Sequence, residues 1–176
     1  MNLRVASLLA FCALTGAATA QDATCVSTPD HLIAIAPDPE VGDNFAIYHK
    51  DSPDQEPACV FDREKADIVL TGWYALEGVE DNYLVASEGS SAVRTLLHFE
   101  LNKGKVLLSA DAELGELTPA GLSYWERRED ATPENCPQYE EYRGYGGSGV
   151  ISHKLTYDFA TKEIAASGET RCDYLE

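Results

Sequence analysis

Four histidines, His31, His49, His98 and His153, are the side chains best suited to move a proton or bind a metal near neutral pH. No two stand at a metal-ligand spacing such as H-x-x-x-H. His153 falls on the apolar parity of its segment, which reads as a hydrogen-bonded histidine of a core or its rim. His98 falls on the polar parity and is expected in solvent. The run Gly144-Tyr145-Gly146-Gly147-Ser148-Gly149 contains G-x-G-x-x-G. Phosphate binding by that motif needs a helix N-terminus after it. Val150 to Phe159 alternates as a strand instead, which argues against a nucleotide site. The same run fails G-x-S-x-G because Val150 stands where the final glycine belongs. A catalytic triad would have to be assembled from dispersed residues.

Acids cluster at Asp51/Asp54/Glu56, Asp111/Glu113/Glu116 and Glu126/Glu129/Asp130. Carboxylates suit calcium, yet none of these stretches reproduces the EF-hand loop. With 30 acidic residues in the chain, such clusters arise by chance. No metal or cofactor is expected. Tyr139, Tyr142 and Tyr145 gather just after Cys136, among glutamates. Rigid amphipathic rings make good binding anchors, so these three tyrosines mark the candidate binding loop.

Thirty acids against 13 bases give a net charge of −17. Such a surface repels nucleic acid and anionic lipid, and attracts basic proteins. The N-terminus predicts export. Arg4 precedes the apolar run Val5 to Leu14, and Ala18-Thr19-Ala20 offers a small-x-small cleavage site. Residues 1–20 therefore read as a signal peptide and residues 21–176 as one β-rich domain. No later run is long and apolar enough to span a membrane as a helix. Removing the leader discards Cys12 and leaves Cys25, Cys59, Cys136 and Cys172. Four cysteines in an exported chain read as two disulfides, with three possible connectivities. Cys25–Cys59 with Cys136–Cys172 is favoured because each closes a loop of about 35 residues, worth roughly 3–4 kcal/mol on the chain-entropy model. No C-x-x-C is present.

The elements that must position these groups are mostly strands. Residues 89–111 and 147–169 align without a gap: Gly89-Ser90 with Gly147-Ser148, Leu97 with Leu155, and Ser109 with Ser167. Val93, Leu97, Phe99 and Leu101 alternate with polar residues, as do Ile151, Leu155, Tyr157 and Phe159. Leu96 interrupts the pattern as an isolated exposed apolar residue. This is the period of a half-buried strand. Turns at Asn102-Lys103-Gly104 and Ala160-Thr161-Lys162 lead to return strands. Their inward sets are Val106, Leu108, Ala110 and Ala112, and Ile164, Ala166, Gly168 and Cys172. Both segments read as long hairpins sharing a common pattern. Further strands are predicted at Leu32–Ala36, Phe45–His49, Ile68–Tyr74 and Tyr83–Ser87. Thr118 to Asp130 suits either a short helix capped at Thr118-Pro119 or a strand.

The expected fold is mainly β: an antiparallel up-and-down meander of about 8–10 strands forming a barrel or sandwich, with at most one or two short helices. The expected protein is periplasmic or secreted, acidic and non-catalytic, recognising or inhibiting a basic exported macromolecule. Two alternatives remain, a β-barrel holding a small apolar ligand and an enzyme with a dispersed site. Neither nucleic acid nor membrane insertion after leader cleavage is expected.

Overall fold

The computed structural model describes residues 21–38, 40, 42–89 and 94–175. The predicted leader, Ser90 and Val93 lie outside the described residues. The elements are β1 (Gln21–Asp22), β2 (Thr24–Ser27), β3 (His31–Asp38), β4 (Gly42–His49), β5 (Val60–Phe61), β6 (Ile68–Glu80), β7 (Tyr83–Glu88) and β8 (Thr95–Glu100). They continue with β9 (Lys105–Thr118), β10 (Gly121–Asp130), the short helix α1 (Tyr139–Gly144), β11 (Ser148–Asp158) and β12 (Ile164–Leu175). Ten strands make one antiparallel sheet in the order β12-β11-β10-β9-β8-β7-β6-β4-β3-β2, and β1 pairs with β5. The predicted meander is the observed one. Its end strands, β2 and β12, do not pair with each other, so the sheet stays open.

Two strands give the sheet its shape. β6 and β9 run for 13 and 14 residues, against the five or six typical of a strand. Ile68–Tyr74 belongs to the pairing with β4, and Tyr74–Glu80 pairs with β7. Lys105–Asp111 pairs with β8, and Ala112–Thr118 with β10. Register shifts occur along all four pairings, and such bulges bend a strand. Each long strand thus leaves one layer and enters the next. A Cβ on Gly78 of β6 would sit 2.8 Å from Leu117 Cδ2 of β9, so a larger side chain there would have to push the Leu117 side chain aside where the two strands pass.

The result is three layers with two cores between them. Ile33, Phe45 and Ile47 of the first layer pack on Leu84, Ala86, Leu97 and Phe99 of the middle one. Val85, Leu96 and Leu108 on the opposite face of the middle layer pack on Leu122, Tyr124, Leu155 and Tyr157 of the third. Phe61 of β5 covers the outer face of β3 and β4, at Leu32, Ala34 and Tyr48. The disulfides are Cys25–Cys59 and Cys136–Cys172, the favoured pairing. They pin the two ends of the sheet.

This layering corrects several expectations. Leu96 and His98 were expected in solvent, yet Leu96 is 1% and His98 0% exposed. The middle layer is covered on both faces, so both parities of β8 are buried. Val106 and Ile164, expected inward, are 42% and 52% exposed, and Ala166 and Gly168 are exposed too. Ile164 and Ala166 pair with Tyr157 and Leu155, so their face is the core face. They lie on the outermost strand, beyond the reach of the middle layer. A bulge at Leu107 also separates the sets of the first hairpin. Leu108 opposes His98, whereas Val106 opposes Phe99 on the other face. The ambiguous Thr118–Asp130 segment is a turn and a strand, closed by a hydrogen bond from Thr118 Oγ1 to Gly121 O at 3.1 Å.

Candidate functional site

The tyrosine segment forms a corner where β10 ends, α1 follows, and β11 and β12 meet. The Cys136–Cys172 disulfide ties the loop before α1 to β12. Tyr139 and Tyr142 pack against Ala131, Cys136 and Ile151. Tyr142 Oη donates to Cys172 O at 3.3 Å, and its ring meets Tyr174 edge-on at 5.4 Å. A Cβ on Gly147 would clash with the Tyr174 ring and the Leu175 carbonyl, so the glycine at this one position lets β12 and its ring close down. Gly147 lies directly before β11, so the run opens a strand and gives a phosphate no helix N-terminus.

Tyr145 differs from its two neighbours. It is 70% exposed, its ring standing edge-on to Tyr174 at 6.5 Å. Its hydroxyl donates to Glu141 Oε1 at 3.0 Å, and that bond to a carboxylate raises the phenol above its ordinary pKa. Asp130, Glu134, Glu140 and Glu141, from the end of β10 through α1, are exposed. Arg143 lies over the Tyr139 ring at 6.0 Å. Of the three predicted binding tyrosines, two are therefore mainly packing residues and one, Tyr145, is largely exposed. Tyr174 was missed, since nothing local in Asp173-Tyr174-Leu175 marks it; the β11–β12 register, which sets it opposite Gly149, and the disulfide bring it to the corner.

The other acidic clusters are largely engaged in ion pairs. Asp111 pairs with Arg127, Glu113 with Arg171 and Glu126 with Arg128, and Glu129 Oε1 lies within hydrogen-bond reach of His153 Nε2 at 3.1 Å. His153 thus sits at the rim, as its parity suggested. Asp51, Asp54 and Glu56 lie on an exposed loop. Among the described residues no three His, Cys, Asp or Glu side chains stand together as a ready metal-binding group.

Two histidines meet that sequence spacing kept apart. β3 and β4 pair so that His31 opposes His49, and both line an open cleft of about 800 Å³ with Asp67, Leu101, Asn102 and Lys103. His31 is 2% exposed and its Nδ1 has no hydrogen-bond partner. Burial, with His49 next, lowers its pKa, while Asp30 and Asp67 oppose that shift. The two are symmetric about the Asp38–Gly42 turn, a signal legible only once the hairpin register is assigned. His98 lies deeper, stacked on Phe159 at 4.8 Å and against Tyr83 at 5.0 Å, with neither ring nitrogen bonded. Burial pushes its pKa down to about 4, Glu100 opposing.

No family model, curated protein or solved structure matches this chain. Function must therefore be argued from the molecule itself. Two disulfides fit an oxidising compartment, and no helix among the described residues is long and apolar enough to cross a membrane.

Proposed function

We propose that this chain is an exported, non-catalytic binding protein, periplasmic or secreted, that engages a basic macromolecule through the Tyr145 corner. One observation carries the reading: Tyr145, the most exposed large apolar side chain among the described residues, stands against the Glu141 carboxylate in a segment whose Asp130, Glu134 and Glu140 are exposed as well. An aromatic ring beside carboxylates suits lysine and arginine, which take both cation–π contacts and charge-assisted hydrogen bonds. The backbone beneath is fixed by a disulfide and by Tyr142, so little ordering entropy is spent on binding. The net charge of −17 would steer a cationic partner toward the protein.

The test uses the purified, disulfide-intact protein and a short synthetic peptide of alternating lysine and alanine. Binding is followed by fluorescence anisotropy at about 0.02 M and about 0.2 M salt, where the Debye length shrinks from roughly 20 Å to below 10 Å. The expected result is saturable binding that weakens with salt and falls about tenfold in Tyr145→Ala. Equal binding by Tyr145→Ala, or equal binding of an uncharged peptide, would remove the corner from consideration.

A further inference from the structure

The cleft at the ends of β3 and β4 holds a pair of imidazoles for which recognition of a basic partner has no use. His31 and His49 oppose each other without exchanging backbone hydrogen bonds. The Lys50 amide donates to Asp30 O at 2.8 Å, the Thr28 amide donates to His31 O at 2.8 Å, and the His49 amide turns away to Asp67 Oδ2 at 2.7 Å. Side chains approach most closely in pairs of this kind. The ring centroids are 5.4 Å apart and the planes cross at 64°.

That separation has a chemical meaning. A dication about 2.1 Å from one nitrogen of each ring, with a tetrahedral angle between the two bonds, sets the centroids about 5.2 Å apart. His31 supplies a nitrogen in need of a partner, because its buried Nδ1 has none and an unsatisfied buried polar atom is costly. The surrounding charge favours a cation. Asp30 and Asp67 both act electrostatically on the His31 ring. The nearby lysines are held elsewhere, Lys50 by Ser27 Oγ at 2.6 Å and Thr28 O at 3.0 Å, and Lys103 by Glu100 Oε1 at 2.7 Å. His49 is exposed at the mouth of the cleft, so water can complete a coordination shell from that side.

We propose that His31 and His49 form a two-imidazole site for a first-row transition-metal dication, Zn2+, Ni2+ or Cu2+. Imidazole donors select these ions over Ca2+ and Mg2+, which prefer oxygen. Asp67, which accepts the His49 amide, holds the second ligand's backbone in place. The site is remote in sequence from the Tyr145 corner and does not depend on the reading given for it.

The experiment is equilibrium dialysis of the purified, disulfide-intact protein, stripped with chelator and then exposed to Zn2+ or Ni2+ salts, with bound metal quantified per chain. The expected result is one bound ion whose affinity falls about tenfold or more in His31→Ala or in His49→Ala. His153→Ala, which alters a rim histidine on β11, leaves that affinity unchanged. Because His31 is buried, the wild-type protein is also examined by NMR. Paramagnetic Ni2+ is expected to broaden the His31 and His49 ring signals before those of His98 and His153. The site is overturned if no ion binds stoichiometrically. It is equally overturned if binding survives both alanine substitutions, or if the first signals broadened are those of His153 or of the carboxylates at Asp51, Asp54 and Glu56.

Discussion

Protonating His98 means placing a charge between Tyr83 and Phe159 with no hydrogen-bond partner on either ring nitrogen. The folded protein resists this until about pH 4, whereas the unfolded chain takes the proton near 6.5. A lowered histidine pKa gives stability that is complete above the unfolded value and is lost as pH falls from about 6.5 to about 4. Below about pH 4 this histidine adds no further pH dependence. The shift corresponds to about 3 kcal/mol at most, and His31, lowered in the same direction, adds to the loss. Urea midpoints measured across this range should fall with acidity in the wild type. In His98→Leu the slope should flatten, with stability at neutral pH unchanged or raised, because an apolar group replaces an unsatisfied polar one. A slope that survives the substitution would assign the acid sensitivity to other groups.

At the scale of the element, parity identifies a face and layering decides whether that face is covered. Leu96→Ala should cost about 2–5 kcal/mol, since the side chain is buried between the middle and third layers. Ile164→Ala should change stability by no more than about 0.5 kcal/mol, because β12 has nothing packed outside it there. Denaturant unfolding of the two variants checks this, and equal losses would contradict the layered arrangement. The sequence alone points to the reverse order. Its period-2 signal located β8, β9, β11 and β12 because each strand has a pleat, and the turn residues placed the hairpins. What it did not carry is the passage of β6 and β9 between layers, which depends on bulges and on one close approach at Gly78. The Cys136–Cys172 disulfide was legible from loop length. Replacing both its cysteines with alanine should lower stability by roughly 3–4 kcal/mol on the chain-entropy model and release Tyr174 from Tyr142. Protease sensitivity of the α1 segment in that variant reports the second effect; resistance equal to the wild type would show that packing alone holds the corner.

For the molecule as a whole, charge was fully legible in the sequence, but its distribution was not. Lys65, Lys103, Arg127, Arg128, Lys154, Lys162 and Arg171 all stand in ion pairs with carboxylates. Those pairs arise from cross-strand neighbours and layer contacts that no local pattern reveals. They leave a surplus of carboxylates facing water, giving a net charge of −17 that the fold must tolerate. Two electrostatic effects then oppose each other as salt is added. Screening weakens exposed ion pairs, each worth about 0–1 kcal/mol, and it also relieves the self-repulsion of the whole surface. With 30 acids against 13 bases, repulsion outweighs the pairs. The melting temperature should therefore rise between about 0.02 M and about 0.2 M sodium chloride, a span over which screening becomes short-ranged. A complex with a cationic peptide should respond in the opposite sense, since the attraction that forms it is screened by the same ions. Calorimetric scans with and without the peptide at both salt levels separate the two. A melting temperature that falls with salt in the free protein would mean that the ion pairs outweigh the surplus charge. A peptide-induced rise that grows with salt would mean that the partner is held by apolar contact rather than by the carboxylates around Tyr145.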